Sequence, residues 1–242
     1  MRRTLLIFGL VAWLAGPALK SAWTQNRPVA DLPAAPVARG SAPGASAGAG
    51  AQVVDGIAAR IEDDIITESE VRELGSFQQL VDGSAKPRIE IIQQLANQWI
   101  VHGEAALVAF PSPSKEDVDR AYGEFVKQFP SVQEFQSRCA AAGLTESAVR
   151  RIIEQQLFLS HFVDYRFRPA AQVDDKQIEM FYNDEFGPQL KAKNQPVPPL
   201  DDVEDTIREV LIQRAITDRA TKWLDDTRDH LKIDVVAQGA GS

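Results

Sequence analysis

Cysteine is almost absent from this chain: Cys139 is the only one in 242 residues. No internal disulfide can form, so packing alone must hold the core. Cysteine-rich zinc sites are excluded as well. That removes a deaminase reading of His102-Gly103-Glu104, which needs a cysteine pair further along. Histidine is scarce too, and His102, His161 and His230 are expected on three separate helices with no convergent partner. The chain has no HExxH pair, no GxSxG elbow and no glycine loop between a strand and a helix to cradle phosphate. It lacks a positive balance: Lys and Arg number 26 against 34 Asp and Glu, a net charge of −8. Losing the leader arginines Arg2 and Arg3 takes −8 to −10, which suits neither nucleic acid nor anionic lipid. Long apolar runs are missing except from Thr4 to Leu19, where Gly9 and Gly16-Pro17 interrupt a stretch shorter than the roughly 20 residues of a membrane-spanning helix.

That run follows Met1-Arg2-Arg3 and ends among small residues at Gly16-Pro17-Ala18. A basic start, an apolar centre and a small-residue exit read as a secretory signal over residues 1–22. The alternative is an uncleaved leader that anchors the protein to the inner membrane. Residues 23–52 are a linker, in which 19 of 30 positions are Ala, Gly, Pro or Ser. Such a segment buries too little apolar surface to offset chain entropy and is expected to be a disordered tether.

Regular patterning begins at Val53. Ile57, Ala59 and Ile61 alternate, Glu62-Asp63-Asp64 makes a turn, and Ile65-Ile66 continues. The three carboxylates lack the glycine and later glutamate of a calcium loop, so a solvated hairpin turn is expected. Helix caps then recur: Thr67 with Glu70, Ser114 with Asp117, Ser131 with Glu134, Asp174 with Gln177, and Thr145 after Gly143. Behind them apolar residues repeat at helical spacing. One helix carries Val71, Leu74 and Phe77, and the next Ile89, Ile92, Leu95, Trp99, Ala106 and Phe110. Then come Val118, Tyr122, Phe125 and Phe129; Val132, Phe135 and Cys139; and Val149, Ile152, Ile153, Leu157, Val163 and Phe167. Residues 187–199, rich in proline, form a polar connector held in extended conformations. A long amphipathic helix from Leu200 to Leu231 leads to a terminal strand, Lys232-Ile-Asp-Val-Val236. The fold class is mainly α, with a small sheet formed by the N-terminal hairpin and the C-terminal strand.

The opening Val53–Val71, the stretch Ser114-Lys-Glu-Asp-Val118, the run Phe135-Gln-Ser-Arg-Cys-Ala-Ala-Ala-Gly-Leu144 and the run Val173–Tyr182 follow one another in a familiar order. This order resembles the N-terminal region of SurA-type periplasmic chaperones, whose relatives include PrsA and PpiD. The resemblance implies one helical chaperone domain over 53–236, built from a front half 53–186, the connector 187–199 and a returning helix and strand 200–236. In that family a parvulin prolyl-isomerase domain usually sits between the halves. About a dozen residues stand there in this chain, against roughly 100 for a small domain, so the parvulin domain is expected to be absent.

The chemistry follows from this. Asp201-Asp202 and Glu204-Asp205 suit a helix N-terminus, and Asp225-Asp226 a solvated face. No catalytic residue, metal ligand or cofactor site is expected. Phe158, Phe162 and Tyr165 lie partly off the main apolar stripe of their helix, and Phe181 and Tyr182 lie nearby in sequence. These five are the candidate client-binding residues, with core packing as the competing reading of each ring. The expected partners are unfolded or extended polypeptides, without nucleic acid and without stable membrane insertion once the leader is cleaved. The resemblance implies a periplasmic chaperone that works without ATP and without isomerase catalysis. The alternatives are a divergent peptidyl-prolyl cis-trans isomerase and a dedicated envelope-assembly subunit.

Overall fold

A computed structural model describes residues 55–237. The expected leader 1–22 and linker 23–52 lie outside the described residues. Strands β1 (Ile57–Ile61) and β2 (Asp64–Thr67) open the fold, followed by α1 (Glu68–Asp82), α2 (Arg88–Leu107), α3 (Lys115–Val126), α4 (Val132–Ala141) and α5 (Glu146–Phe167). A 3-10 turn (Arg168–Ala170) leads to α6 (Asp175–Phe181), a π-helical turn (Tyr182–Phe186) and α7 (Gly187–Ala192). The long α8 (Leu200–Arg228) and the strand β3 (Ile233–Val235) complete it. The chain is thus mainly helical, with a small antiparallel sheet of order β2-β1-β3.

The front and back of the chain meet in that sheet. Central β1 pairs Arg60 with Ile65 of β2 on one side and with Asp234 of β3 on the other. The acidic turn is the exposed hairpin turn expected, and two of its carboxylates also act as a joint. Glu62 takes a left-handed conformation, φ 49°, and accepts the Lys232 backbone N–H at 2.7 Å. Asp64 accepts the Trp99 indole N–H at 2.8 Å, tying the hairpin to α2.

Local sequence explains the helix starts. Thr67 and Asp174 each make a reciprocal box with Glu70 and Gln177, while Ser114, Ser131 and Thr145 accept the amide three residues on. Helix α2 stops at Leu107 rather than near Phe110. Ala109 turns left-handed at φ 49°, and the Phe110 N–H returns to the Ala105 carbonyl at 3.0 Å. This is a Schellman stop with alanine where glycine is usual. Residues 187–192, expected to be extended, are helical: they continue α6 through the π-helical turn, whose i→i−5 bond from Gly187 to Tyr182 loosens the helix just before Pro188.

Three apolar clusters lie along the molecule. The largest joins the sheet to α1 through α5, through Ala58, Ile61, Leu74, Phe77, Ile92, Phe125, Phe135, Val149 and Ile152. The second gathers Ile100, Val101, Phe158, Phe162 and Leu224 where α2, α5 and α8 meet. The third is small: Val163, Ala171, Ile216 and Ala220. The buried side of α2 is Ile91, Ile92, Ala96, Ile100, Val101 and Ala105, whereas Ile89 and Ala106, expected inside, are exposed. Val132 is exposed too, while Phe135 and Cys139 fill the core side of α4.

Candidate functional site

The second cluster carries the aromatic site. Helix α5 lies between α2 and α8, so its C-terminal half is covered on two sides and its buried stripe widens to Leu157-Phe158 and Phe162-Val163. Phe158 is 8% and Phe162 1% exposed, so these two rings are core rather than groove. A reading of α5 with one buried stripe failed because a helix packed on two partners has two.

Phe110, just beyond the α2 stop, covers both rings edge-on, with centroids at 5.7 Å from Phe158 and 5.4 Å from Phe162. Its other neighbour is Tyr165, at 5.2 Å, which is 58% exposed. Leu107 and Val108 stand beside Phe110 in the turn, at 81% and 53% exposed. The result is an apolar patch of Leu107, Val108 and Tyr165 on a rigid aromatic base. An ion pair between Arg166 and Glu104, 3.1 Å, edges it, and the same guanidinium lies 4.7 Å over the Trp223 ring. An exposed apolar patch with a polar rim is the usual mark of an interaction site.

The patch sits far from the sheet. At the start of α2, the Arg88 guanidinium donates to the Ala58 carbonyl at 3.3 Å and pairs with Glu68. The helix runs 20 residues from Arg88 to Leu107, about 30 Å at 1.5 Å per residue.

Phe181 and Tyr182 do not join this site. Among the described residues no ring contact links either to Phe158, Phe162 or Tyr165. Phe181 is half-buried beneath the Arg214 guanidinium, 4.6 Å from its ring centroid. Tyr182 stacks on Phe186 at 6.0 Å and donates its hydroxyl to the Pro198 carbonyl at 2.7 Å. Of the five candidates, two are core, one is surface, and two belong to a different part of the fold. Sequence reasoning missed Leu107 and Val108. Their signal was the unbroken run Ala105-Ala106-Leu107-Val108, since four consecutive apolar residues cannot all face one side of a helix.

No acid–base constellation accompanies the patch. His102 stacks flat on Phe158 at 4.6 Å, and burial holds its pKa below the usual histidine value. His161 is exposed, and His230 Nδ1 lies 2.6 Å from the Asp226 carbonyl. Burial pushes the Cys139 thiol up, away from the thiolate a nucleophile needs. Among the described residues no group of three or more His, Cys, Asp or Glu side chains could hold a metal ion. No helix among them is long and apolar enough to cross a membrane. The arrangement offers contact surface.

No family model matches the chain. Chaperone SurA of Ralstonia nicotianae is 30% identical over 212 residues, an alignment covering 77% of this chain and 42% of that protein. The chain therefore spans less than half the length of the curated relative it matches. This similarity runs over most of the described fold and supports a SurA-like family relationship.

Proposed function

We propose that this protein is a periplasmic chaperone that holds unfolded or extended segments of exported polypeptides, without ATP and without prolyl-isomerase catalysis. The observation that carries the reading is the exposed patch of Leu107, Val108 and Tyr165 on the buried base of Phe110, Phe158 and Phe162. A rigid base leaves the patch with little conformational freedom to lose on binding. Each exposed apolar side chain that a client covers contributes about 1.5–3 kcal/mol. Ordering an extended client consumes most of that gain, so binding is weak and reversible, as a holding chaperone requires. The similarity to Chaperone SurA supports the same reading. Export rests on the leader pattern of residues 1–22.

The purified protein, mixed in equal amounts with several unrelated unfolded proteins, is expected to slow their aggregation with no nucleotide present. It is expected to leave the exchange rate of a proline test peptide unchanged. Uncatalysed exchange takes tens to hundreds of seconds, so even slow catalysis would stand out. A catalysed rate that survives repurification contradicts the non-enzymatic assignment. Protection of none of the unfolded proteins contradicts the chaperone reading and points to a dedicated assembly subunit.

A further inference from the structure

Residues 172–199 lie across α8 as a strap, fixed at one end by the 3-10 turn and at the other by the entry into α8. Its apolar attachment is small. Ile178 of the strap and Ile207 of α8 are each 1% exposed, yet neither belongs to any of the three apolar clusters. Ion pairs and hydrogen bonds surround this small buried apolar pair. Arg208 donates to the Val173 carbonyl at 3.2 Å and to Asp175 at 2.9 Å. Arg214 makes a two-pronged pair with Glu185, 3.0 and 2.9 Å, and covers Phe181. At the root of the strap, Arg168 bridges Asp164 and Glu209. The Tyr182 hydroxyl clips the connector at Pro198. Within the strap the helix is interrupted by the π-helical turn. There the Gly187 N–H reaches the Tyr182 carbonyl, and a Cβ at position 187 would stand only 3.1 Å from that oxygen.

We propose that the strap is an ionic latch, whose undocking from α8 uncovers a second apolar seat for extended polypeptide segments flanked by basic residues. The inference rests on the chaperone reading above. The seat would be lined by Ile178 and Phe181 of the strap and by Val203, Ile207, Val210 and Leu211 of α8, all buried or half-buried while the strap is down. Exposed ion pairs contribute little each and weaken with salt, and the strap adds to them a smaller buried apolar contact than any of the three clusters, so it opens before they do. Charge selects the occupant. Residues 172–216 carry ten Asp and Glu against five Lys and Arg, and undocking frees Asp175 and Glu185 from their arginines.

Hydrogen exchange on the full chain tests the latch. Amides of residues 175–192 are expected to exchange faster when salt rises from about 20 mM to about 500 mM, while those of α2 and α5 hold. The double variant Arg208→Gln, Arg214→Gln should speed strap exchange roughly threefold to tenfold at low salt. Arg151→Gln, which breaks an exposed pair with Glu73 elsewhere, should not. In the same buffer the double variant should bind an apolar peptide with lysine flanks several-fold more tightly than the wild type does, and gain nothing for the same peptide with aspartate flanks. Strap amides that exchange as slowly as those of α5, whatever the salt or variant, overturn the latch. Faster exchange without tighter binding overturns the seat. If the wild type binds neither peptide nor any unfolded protein, the chaperone reading itself fails, a result separable from the other two.

Discussion

Phe110 lies where core meets surface, and the residues around it divide by which side of it they occupy. Phe158 and Phe162 pack beneath its ring, Tyr165 beside it and outward. Phe162→Ala is therefore expected to lower unfolding stability by about 3–5 kcal/mol. Tyr165→Ser should stay within about 0.5 kcal/mol of the wild type while weakening client binding several-fold. Denaturant titration alongside client binding checks both. If Tyr165→Ser costs as much stability as Phe162→Ala, the surface assignment is wrong. The neighbouring Ala109 is held at φ 49°, a conformation alanine adopts at a cost and glycine freely. Ala109→Gly should raise stability by up to about 1 kcal/mol, read as a higher denaturation midpoint. A fall would mean that the turn is not strained.

At the scale of elements, what decides each feature is how many partners a helix has. Caps were legible in the sequence because they are local: Thr67, Ser114, Ser131, Thr145 and Asp174 all cap the helices their spacing announces. Faces were less so. The sides of α2 were misjudged at Ile89 and Ala106, and those of α5 were left open between core and groove at Phe158 and Phe162, because both helices sit between neighbours that the sequence does not identify. The π-helical turn left no periodic trace, and Gly187 made sense only once the Tyr182 carbonyl was seen beside it. Strap and α8 also give a pH prediction. Hydrogen bonds from Arg214 hold the Glu185 carboxyl below the usual glutamate range, so the docked strap takes up a proton less readily than the free one. The contribution of this pair to docking is therefore present above the ordinary glutamate value, about pH 4.3, and is lost as pH falls through the depressed value of Glu185. Strap amide exchange, divided at each pH by the intrinsic rate of an unprotected amide, should accelerate there. Glu185→Gln should remove that part of the acceleration, and an unchanged acid response would exclude Glu185 as its origin.

For the whole molecule, the sheet and the apolar patch occupy opposite ends of α2. The sheet closes the fold by joining β3 to β1, and beside it the carboxylate of Asp55 accepts the Ser69 N–H at 3.1 Å. Closure of this kind was readable from three short β-prone segments, none able to persist alone. The patch was not, because its exposure depends on the stop at Ala109 and on Phe110 folding back over α5. Site-directed photocrosslinking tests the central claim most directly. A photoreactive residue replacing Tyr165 or Leu107, mixed with an unfolded client and irradiated, should form crosslinks that a competing apolar peptide abolishes. The same residue at the exposed Arg151 of α5 should form few. Equal crosslinking at all three positions, or none at Tyr165 and Leu107, would contradict the assignment of this patch as the client-binding surface.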